Sequence, residues 1–346
     1  MFSALAARFS AQLDEIKGVV RWQDELRSVV HSVGSLPAPI AIDAASLMAL
    51  QARAPQRIAW QVFDHCASVT RIYALFEEVV CNIVTEYLSY LPRVAPAYGS
   101  LNERLRTQHR IGVGAILTKW SQSNGPFQSI AERDISGGLV DGLRGIAYTV
   151  LADAFLVSPE NFRSSALDRL FGDLGFGSVM AFVKKSETVQ EFLKTRLASG
   201  DTVESYLDVF VRIRNEASHG NIATLASANE IANYADFLVL IIDSFATLLR
   251  SDLVKAGLGT GATLDIAEVV HVYSNNVVGV EARSLGPLKT GDRLCVGKKR
   301  IEFATVLSLQ IGPAAHNELQ LNPGMQFGVR LDRTIGVGAH LYSWVP

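Results

Sequence analysis

The chain has 346 residues, 49% of them hydrophobic, and a formal net charge of −2. That length allows two domains or more with substantial cores, and the near-neutral balance excludes a globally basic nucleic-acid coat, so any RNA contact must be local. Three cysteines, Cys66, Cys81 and Cys295, lack paired metal-ligand spacing and leave an odd thiol over; they predict neither zinc nor disulfide and suit a reducing cytosol.

The start of the chain lacks the basic residues, apolar core and cleavage site of a secretory signal, and the apolar run Phe237 to Ile242 is stopped by Asp243. A cytoplasmic protein is expected. Residues 3 to 32 alternate apolar and charged positions with helical period, Leu5, Phe9, Leu13, Ile16, Val20 and Trp22 among them. They predict one or two amphipathic helices before Gly34, Pro37 and Pro39 interrupt, so residues 1–50 read as a helical appendage. Its stripe is expected on the body of the molecule in preference to a second subunit.

A long helical pattern runs from Gln56 to Leu91 through Trp60, Phe63, Ala67, Thr70, Tyr73, Phe76, Val80, Ile83 and Tyr87, and Pro92 is expected to close it. Shorter helices follow up to Gly200. Arg104, Arg106, His109 and Arg110 form a basic cluster and Lys119-Trp120 sets a cation beside an aromatic ring, a pairing that suits a backbone phosphate and a stacked base, although a charged helix face is the commoner origin of such a cluster. Ser158 and Pro159 read as N-cap and first helical position of another helix, which Leu170 to Phe176 closes.

The chemistry concentrates in Val211 to Asn221, at the end of a helix whose buried face is Val203, Tyr206, Leu207, Phe210 and Ile213 and whose N-cap is Thr202 or Asp201. Arg214 and His219 stand five apart, roughly 140° round an ideal helix, so a local break is needed to bring them together. Gly220 is a candidate C-cap that sets the imidazole on an exposed rim, with the long Arg214 side chain swinging towards it. Ser227-Ala228-Asn229-Glu230 is a capping box for a further helix with Ile231, Tyr234, Leu238, Ile241, Phe245 and Leu248 buried.

The run Arg214-Asn215-Glu216-Ala217-Ser218-His219 resembles the Arg-x4-6-His signature of HEPN domains, including the Asn that commonly follows the Arg. Ile72 to Val80, with Phe76-Glu77, resembles the first long helix of the RiboL-PSP subgroup, and Asn161-Phe162-Arg163 followed by Leu174-Gly175 resembles a stretch upstream of its signature. The similarity spans about residues 57 to 250 and implies a helical bundle at 51–256. It also implies that two copies face each other across a cleft, with Asn215 orienting His219 or the phosphate; Glu77 or Glu78 is a candidate to orient the histidine, although a carboxylate facing solvent is the commoner reading of either. Some HEPN toxins carry a tyrosine two residues after the histidine that a partner enzyme modifies; Asn221 stands there, so that route of neutralisation does not carry over.

The glycines of 257–263 read as a linker or hinge, with no Gly-Lys-Ser/Thr to make a phosphate loop. From 264 to 346, segments such as Val269–Tyr273, Val277–Ala282, Ile301–Leu309, Gln326–Leu331 and His340–Trp344 alternate with turn residues and predict a small β-barrel. Leu288-Lys289-Thr290-Gly291-Asp292 and Pro323-Gly324 resemble turns in the second domain of translation elongation factors, which implies a similar barrel fold and a possible ribosome contact. Lys298, Lys299 and Arg300 are its basic run, either a contact for RNA or protein or a solvated hairpin tip.

The expected whole is therefore multidomain, an all-α bundle followed by a small C-terminal β-barrel. Without a metal-binding motif, the sequence favours a metal-independent route with no cofactor, in which RNA supplies its own 2′-hydroxyl nucleophile, His219 moves the proton and Arg214 stabilises the phosphate charge. That reading is an endoribonuclease of a defence or toxin–antitoxin system, acting as a homodimer on single-stranded RNA or tRNA and leaving 2′,3′-cyclic phosphate and 5′-hydroxyl ends. The alternatives are a non-catalytic RNA- or protein-binding module and a translation-associated adaptor acting through the barrel.

Overall fold

The structure, a computed structural model, describes residues 1–31, 44–122, 127–157, 160–196, 200–220, 222–274 and 276–344. Gly34, Pro37, Pro39, Ser158, Pro159 and Asn221 lie outside them.

Residues 3 to 30 form a single helix, α1 (Ser3–Val30). It packs on α3 (Arg57–Val94) and α11 (Ala228–Leu258), burying Phe9, Leu13 and Val20, so its stripe does lie on the body. Trp22 is 61% exposed instead of buried, because nine residues on from Leu13 at 100° each place it on the opposite side of the helix. A short helix α2 (Ala44–Arg53) precedes α3.

In α3 the helix passes through Pro92 and ends at Val94. A proline this close to the terminus costs one backbone bond near the end of the ladder, too little to stop the helix where the sequence reading closed it. The early stripe also turns out differently. Phe63 is 70% exposed and Ala67 and Thr70 are exposed, while Asp64, His65 and Ser68 face inward. Two partners draw them in: Arg27 of α1 forms a buried ion pair with Asp64, and His65 Nδ1 accepts the Ala226 N–H at 3.1 Å.

After a 3₁₀ turn (Tyr98–Ser100) the chain builds α4 (Glu103–Trp120), α5 (Glu132–Leu143), α6 (Asp153–Leu156), α7 (Ser164–Asp173), α8 (Val179–Lys184), α9 (Glu187–Arg196) and α10 (Val203–His219). The start of α7 departs from the sequence reading. Residues 160 to 163 are not helical and the helix begins at Ser164, whose N–H and hydroxyl both donate to Asp208 of α10 at 2.8 Å. A cap supplied from another helix overrides the local Ser-Pro signal. Buried side chains from α1 and from α3 through α11 form one continuous core.

The C-terminal part is a closed antiparallel barrel of six strands: β1 (Thr263–Ser274), β2 (Val277–Ala282), β4 (Arg293–Gly297), β5 (Ile301–Ile311), β8 (Gln326–Leu331) and β9 (His340–Trp344). The ring runs β4-β9-β1-β2-β8-β5 and closes by β5 pairing with β4. β6 (Ala314–His316) extends β5, and β3 (Gly286–Lys289) pairs with β7 (Glu318–Leu321) in a separate ribbon. Closure leaves the six ring strands without a free edge, and alternate residues such as Val278, Val280, Val329 and Leu331 fill the interior.

The glycine run between the two parts is short, with Leu258 to Gly261 exposed and its ends, Gly257 and Thr263, buried. Gly257 and Leu258 complete the last turn of α11, and a Cβ on Gly257 would lie 2.4 Å from Thr263 Oγ1. The barrel is held against the bundle by Val254, Cys295, Ile301 and Tyr342, all buried together. Ser251 Oγ accepts the Ile301 N–H at 2.8 Å and Trp344 meets Tyr90 edge to face at 5.6 Å. No helix among the described residues is long and apolar enough to cross a membrane.

Candidate functional site

Thr202 opens α10 with a capping box in which its side chain and that of Ser205 answer each other's backbone N–H groups. Val203, Tyr206, Leu207, Phe210, Val211 and Ile213 are buried, which fixes the rotation of the helix and therefore where the Arg-x4-His residues point. Gly220 adopts φ 71°, the left-handed C-cap expected from the sequence. The break expected between Arg214 and His219 is absent: the helix is continuous through both, since its hydrogen-bond ladder is stopped only by the glycine beyond.

Arg214 is half-buried and tightly held. Its Nη1 donates to Asn161 Oδ1 at 2.9 Å and to Asn215 Oδ1 at 3.0 Å, and its guanidinium lies 4.1 Å from the centre of the Tyr73 ring. Asn161 Nδ2 donates to Asn215 Oδ1 at 3.2 Å, closing a ring of three polar side chains, and Tyr73 Oη accepts the Phe162 N–H at 2.8 Å. Burial pushes the Tyr73 phenol above its ordinary pKa, so this partner stays neutral. The Nε of Arg214 is buried without a partner among the described residues.

Asn215 thus holds Arg214 and Asn161, and among the described residues no hydrogen bond joins it to the imidazole. His219 is exposed at the last helical position, with no contact to Arg214 among the described residues. Five residues separate the two, about 7.5 Å of helical rise and about 140° of rotation. Behind this end, the loop after α10 is pinned at two points. Glu216 pairs with Arg212 at 2.5 Å and accepts the Ala223 N–H at 3.4 Å, and the buried His65 receives Ala226. Burial lowers the His65 pKa, which favours the neutral imidazole able to accept that bond.

Other residues singled out by the sequence lie elsewhere. Glu78 pairs with Arg8 at 3.5 Å on the surface, and Glu77 lines a cavity of about 380 Å³ beside Cys81; neither touches His219. The basic cluster of α4 is largely an ion-paired helix face. Arg106 and Arg110 both pair with Glu103, and Arg104 lies 3.7 Å from Asp173. His109 is buried between Tyr98 Oη at 3.1 Å and the Leu151 N–H at 3.1 Å, and burial lowers its pKa to about 4. Lys119 and the Trp120 indole donate to the carbonyls of Val157 and Ile130. Arg300, from the barrel's basic run, donates to the Phe182 carbonyl at 2.7 Å and so docks the hairpin on the bundle. Among the described residues no three His, Cys, Asp or Glu side chains cluster as a metal site.

Sequence reasoning missed Tyr73 and Asn161 as partners of Arg214, although both sit inside the stretches that carry the family resemblance. His65 gave only the weak signal of a polar pair interrupting a helical pattern.

A helical bundle that displays an Arg-x4-His run at the end of its penultimate helix, with the arginine fixed by amide side chains, belongs to the class of HEPN domains. The RiboL-PSP-HEPN family model matches residues 49–251, more than half of the chain, and the protein belongs to that family. The matched span contains Tyr73, Asn161, Arg214, Asn215 and His219, and stops short of the barrel. A search of curated proteins returns no match.

Proposed function

We propose that the protein is a metal-independent endoribonuclease of a defence or toxin–antitoxin type system. The observation that carries this reading is the preorganised Arg214: two amide oxygens and an aromatic face fix its guanidinium beside the helix terminus that exposes His219. A cation oriented before substrate arrives stabilises the charge growing on a phosphate without reorganising. An exposed imidazole is free to reach a substrate and can take up or give up a proton as a general base or acid. In the reaction the ribose 2′-oxygen attacks the adjacent phosphorus as its proton passes to a base, and the bond to the 5′-oxygen breaks as that oxygen is protonated. The products are a 2′,3′-cyclic phosphate and a 5′-hydroxyl.

One histidine does not serve as base and acid in a single step, and Arg214 and His219 face different ways on their helix. A second copy supplying its own His219 completes the site. Exposed Ile58 and Phe63, 69% and 70% accessible, support such a homodimer, since their turns of α3 adjoin His65 and hence the loop after α10. In this reading the barrel selects the RNA, tRNA or ribosomal target and is a surface available to an antitoxin.

Incubation of the protein and its His219→Ala variant with total RNA in EDTA tests the proposal. Cleavage by the first and loss of about 10²–10⁴-fold in the second is expected, the range typical of general acid–base catalysis. Equal cleavage by both, or none by either, would sink it. The internal commitments of Arg214 favour a second reading, a non-catalytic RNA-binding module; RNA retention without cleavage, unchanged in His219→Ala, is its signature.

A further inference from the structure

A cavity lined by several charged side chains lies away from the Arg-His end, where the bundle meets the barrel. Its volume is about 510 Å³, within the range of small-ligand pockets. α1, α11 and the start of α9 form one wall and β4, β5 and the turn after β8 the other. Four arginines line it, Arg250, Arg293, Arg300 and Arg333, against two carboxylates, Asp243 and Glu302, so its formal charge is 4 − 2 = +2.

These cations are poorly compensated. Arg250 is 6% exposed, yet its single hydrogen bond is a long one, Nη1 to the Ile301 carbonyl at 3.4 Å, and its Nε is buried without a partner among the described residues. Its guanidinium shares one ring, Phe303, with that of Arg293, at 4.4 and 4.2 Å from the ring centre. Arg333 pairs with Glu302 but leaves its own Nε buried and unpartnered. Burial lowers the Arg250 pKa to about 10, and burial with the neighbouring Arg293 lowers that of Arg333. Asp243 is exposed on α11 and attracts Arg250 electrostatically, but no ion pair joins the two among the described residues.

Gathering like charges in a partly enclosed space is costly unless an opposite charge enters. Planar guanidinium groups match the oxygens of a phosphoryl group through paired N–H donors, and the hydroxyls of Thr188 and Thr247 on the wall add neutral donors. The +2 balance suits a dianion. We propose that this cavity binds a small phosphorylated ligand of mononucleotide size, gripped by Arg250, Arg293 and Arg333. The site is separate from the Arg-His end: Arg250 is 23 residues along α11 from its N-cap Ser227, about 35 Å of helical rise. Because both domains contribute side chains, such a ligand also ties barrel to bundle.

Calorimetric titration of the full chain with inorganic phosphate, pyrophosphate and ATP, and with a short RNA, tests this. Saturable binding of one ligand per chain is expected for at least one of the first three. Affinity should fall about tenfold or more in Arg293→Ala and in Arg333→Ala, the scale of losing a charge-assisted contact, and stay unchanged in Arg214→Ala. Arg293 is exposed and its variant should keep the wild-type circular dichroism and melting profile. Preference for ATP over phosphate would identify a nucleotide, and the reverse a free phosphate. Binding of none of the three, saturable binding of RNA alone, or binding that Arg293→Ala and Arg333→Ala leave intact would overturn the proposal. None of these readouts depends on RNA cleavage, so the two proposals fail independently.

Discussion

Arg214 and Arg250 each lie over an aromatic ring, 4.1 Å from Tyr73 and 4.4 Å from Phe303, yet their surroundings differ in kind. Arg214 is met by the neutral oxygens of Asn161 and Asn215, which orient the charge without cancelling it. Arg250 is buried among other guanidinium groups and has one long bond to a backbone carbonyl. The first arrangement is a half-buried cation held by neutral partners; the second is a cation left short of partners in a cavity. An arginine's neighbours, more than its own burial, therefore separate the two proposals, one in which the group stabilises a passing charge and one in which it holds a resident anion.

The sharpest way to break this contrast is to remove Arg214. Arg214→Ala is expected to lower RNA cleavage by about 10²–10³-fold, the usual cost of one preorganised charge-stabilising donor, with the melting temperature little changed. The opposite pattern is expected for Arg293→Ala, which should cleave RNA normally. Equal loss of cleavage in both, measured on one labelled RNA, would make the two arginine sites a single functional unit.

A smaller effect comes from pH. His109 is held neutral down to about pH 4, whereas an unfolded histidine protonates near 6.5. The folded pKa is the lower one, so on acidification the unfolded chain takes the proton first. This contribution to stability is present above pH 6.5 and lost as pH falls towards 4, by about 3 kcal/mol when complete. Urea unfolding at pH 7, 5.5 and 4.5 should show a steeper decline for the wild type than for His109→Gln; parallel declines would refute it.

At the seam, Ser251→Ala leaves the buried Ile301 N–H without its acceptor and should destabilise by about 1–3 kcal/mol. Differential scanning calorimetry should show the loss, and a second, barrel-only transition would mean that the domains uncouple. Least of all, Ser227→Ala removes the N-cap that the Ser227–Glu230 capping box supplies to α11, at a cost of about 1 kcal/mol. A midpoint unmoved in chemical denaturation would show that packing alone starts this helix.

The sequence made the order of elements legible wherever one local signal acted alone. The Ser227–Glu230 capping box, the Gly220 terminus, the five barrel strands read from Val269 onward and the long helices, apart from the end of α3 beyond Pro92, occur where periodicity and capping place them. Reading failed where a distant side chain competed. The early turns of α3 face the other way because Arg27 and Ala226 claim Asp64 and His65, and α7 starts late because Asp208 caps Ser164 from another helix. The helix break expected inside the Arg-His run failed for a simpler reason, since nothing interrupts the backbone ladder before Gly220.

Hydrophobic period, caps and turn chemistry thus determined the all-α bundle and the barrel after it, because they are written within a few residues of where they act, while the candidate pair Arg214 and His219 came from the resemblance of the Arg-x4-His run to a known family. Only the tertiary structure decided that Asn161 and Tyr73 hold Arg214, that His219 stands apart from it, and that arginines from both domains meet in one cavity. Those contacts join residues tens to hundreds of positions apart, and a local pattern carries no information about which of two distant side chains will find the other once the core has closed.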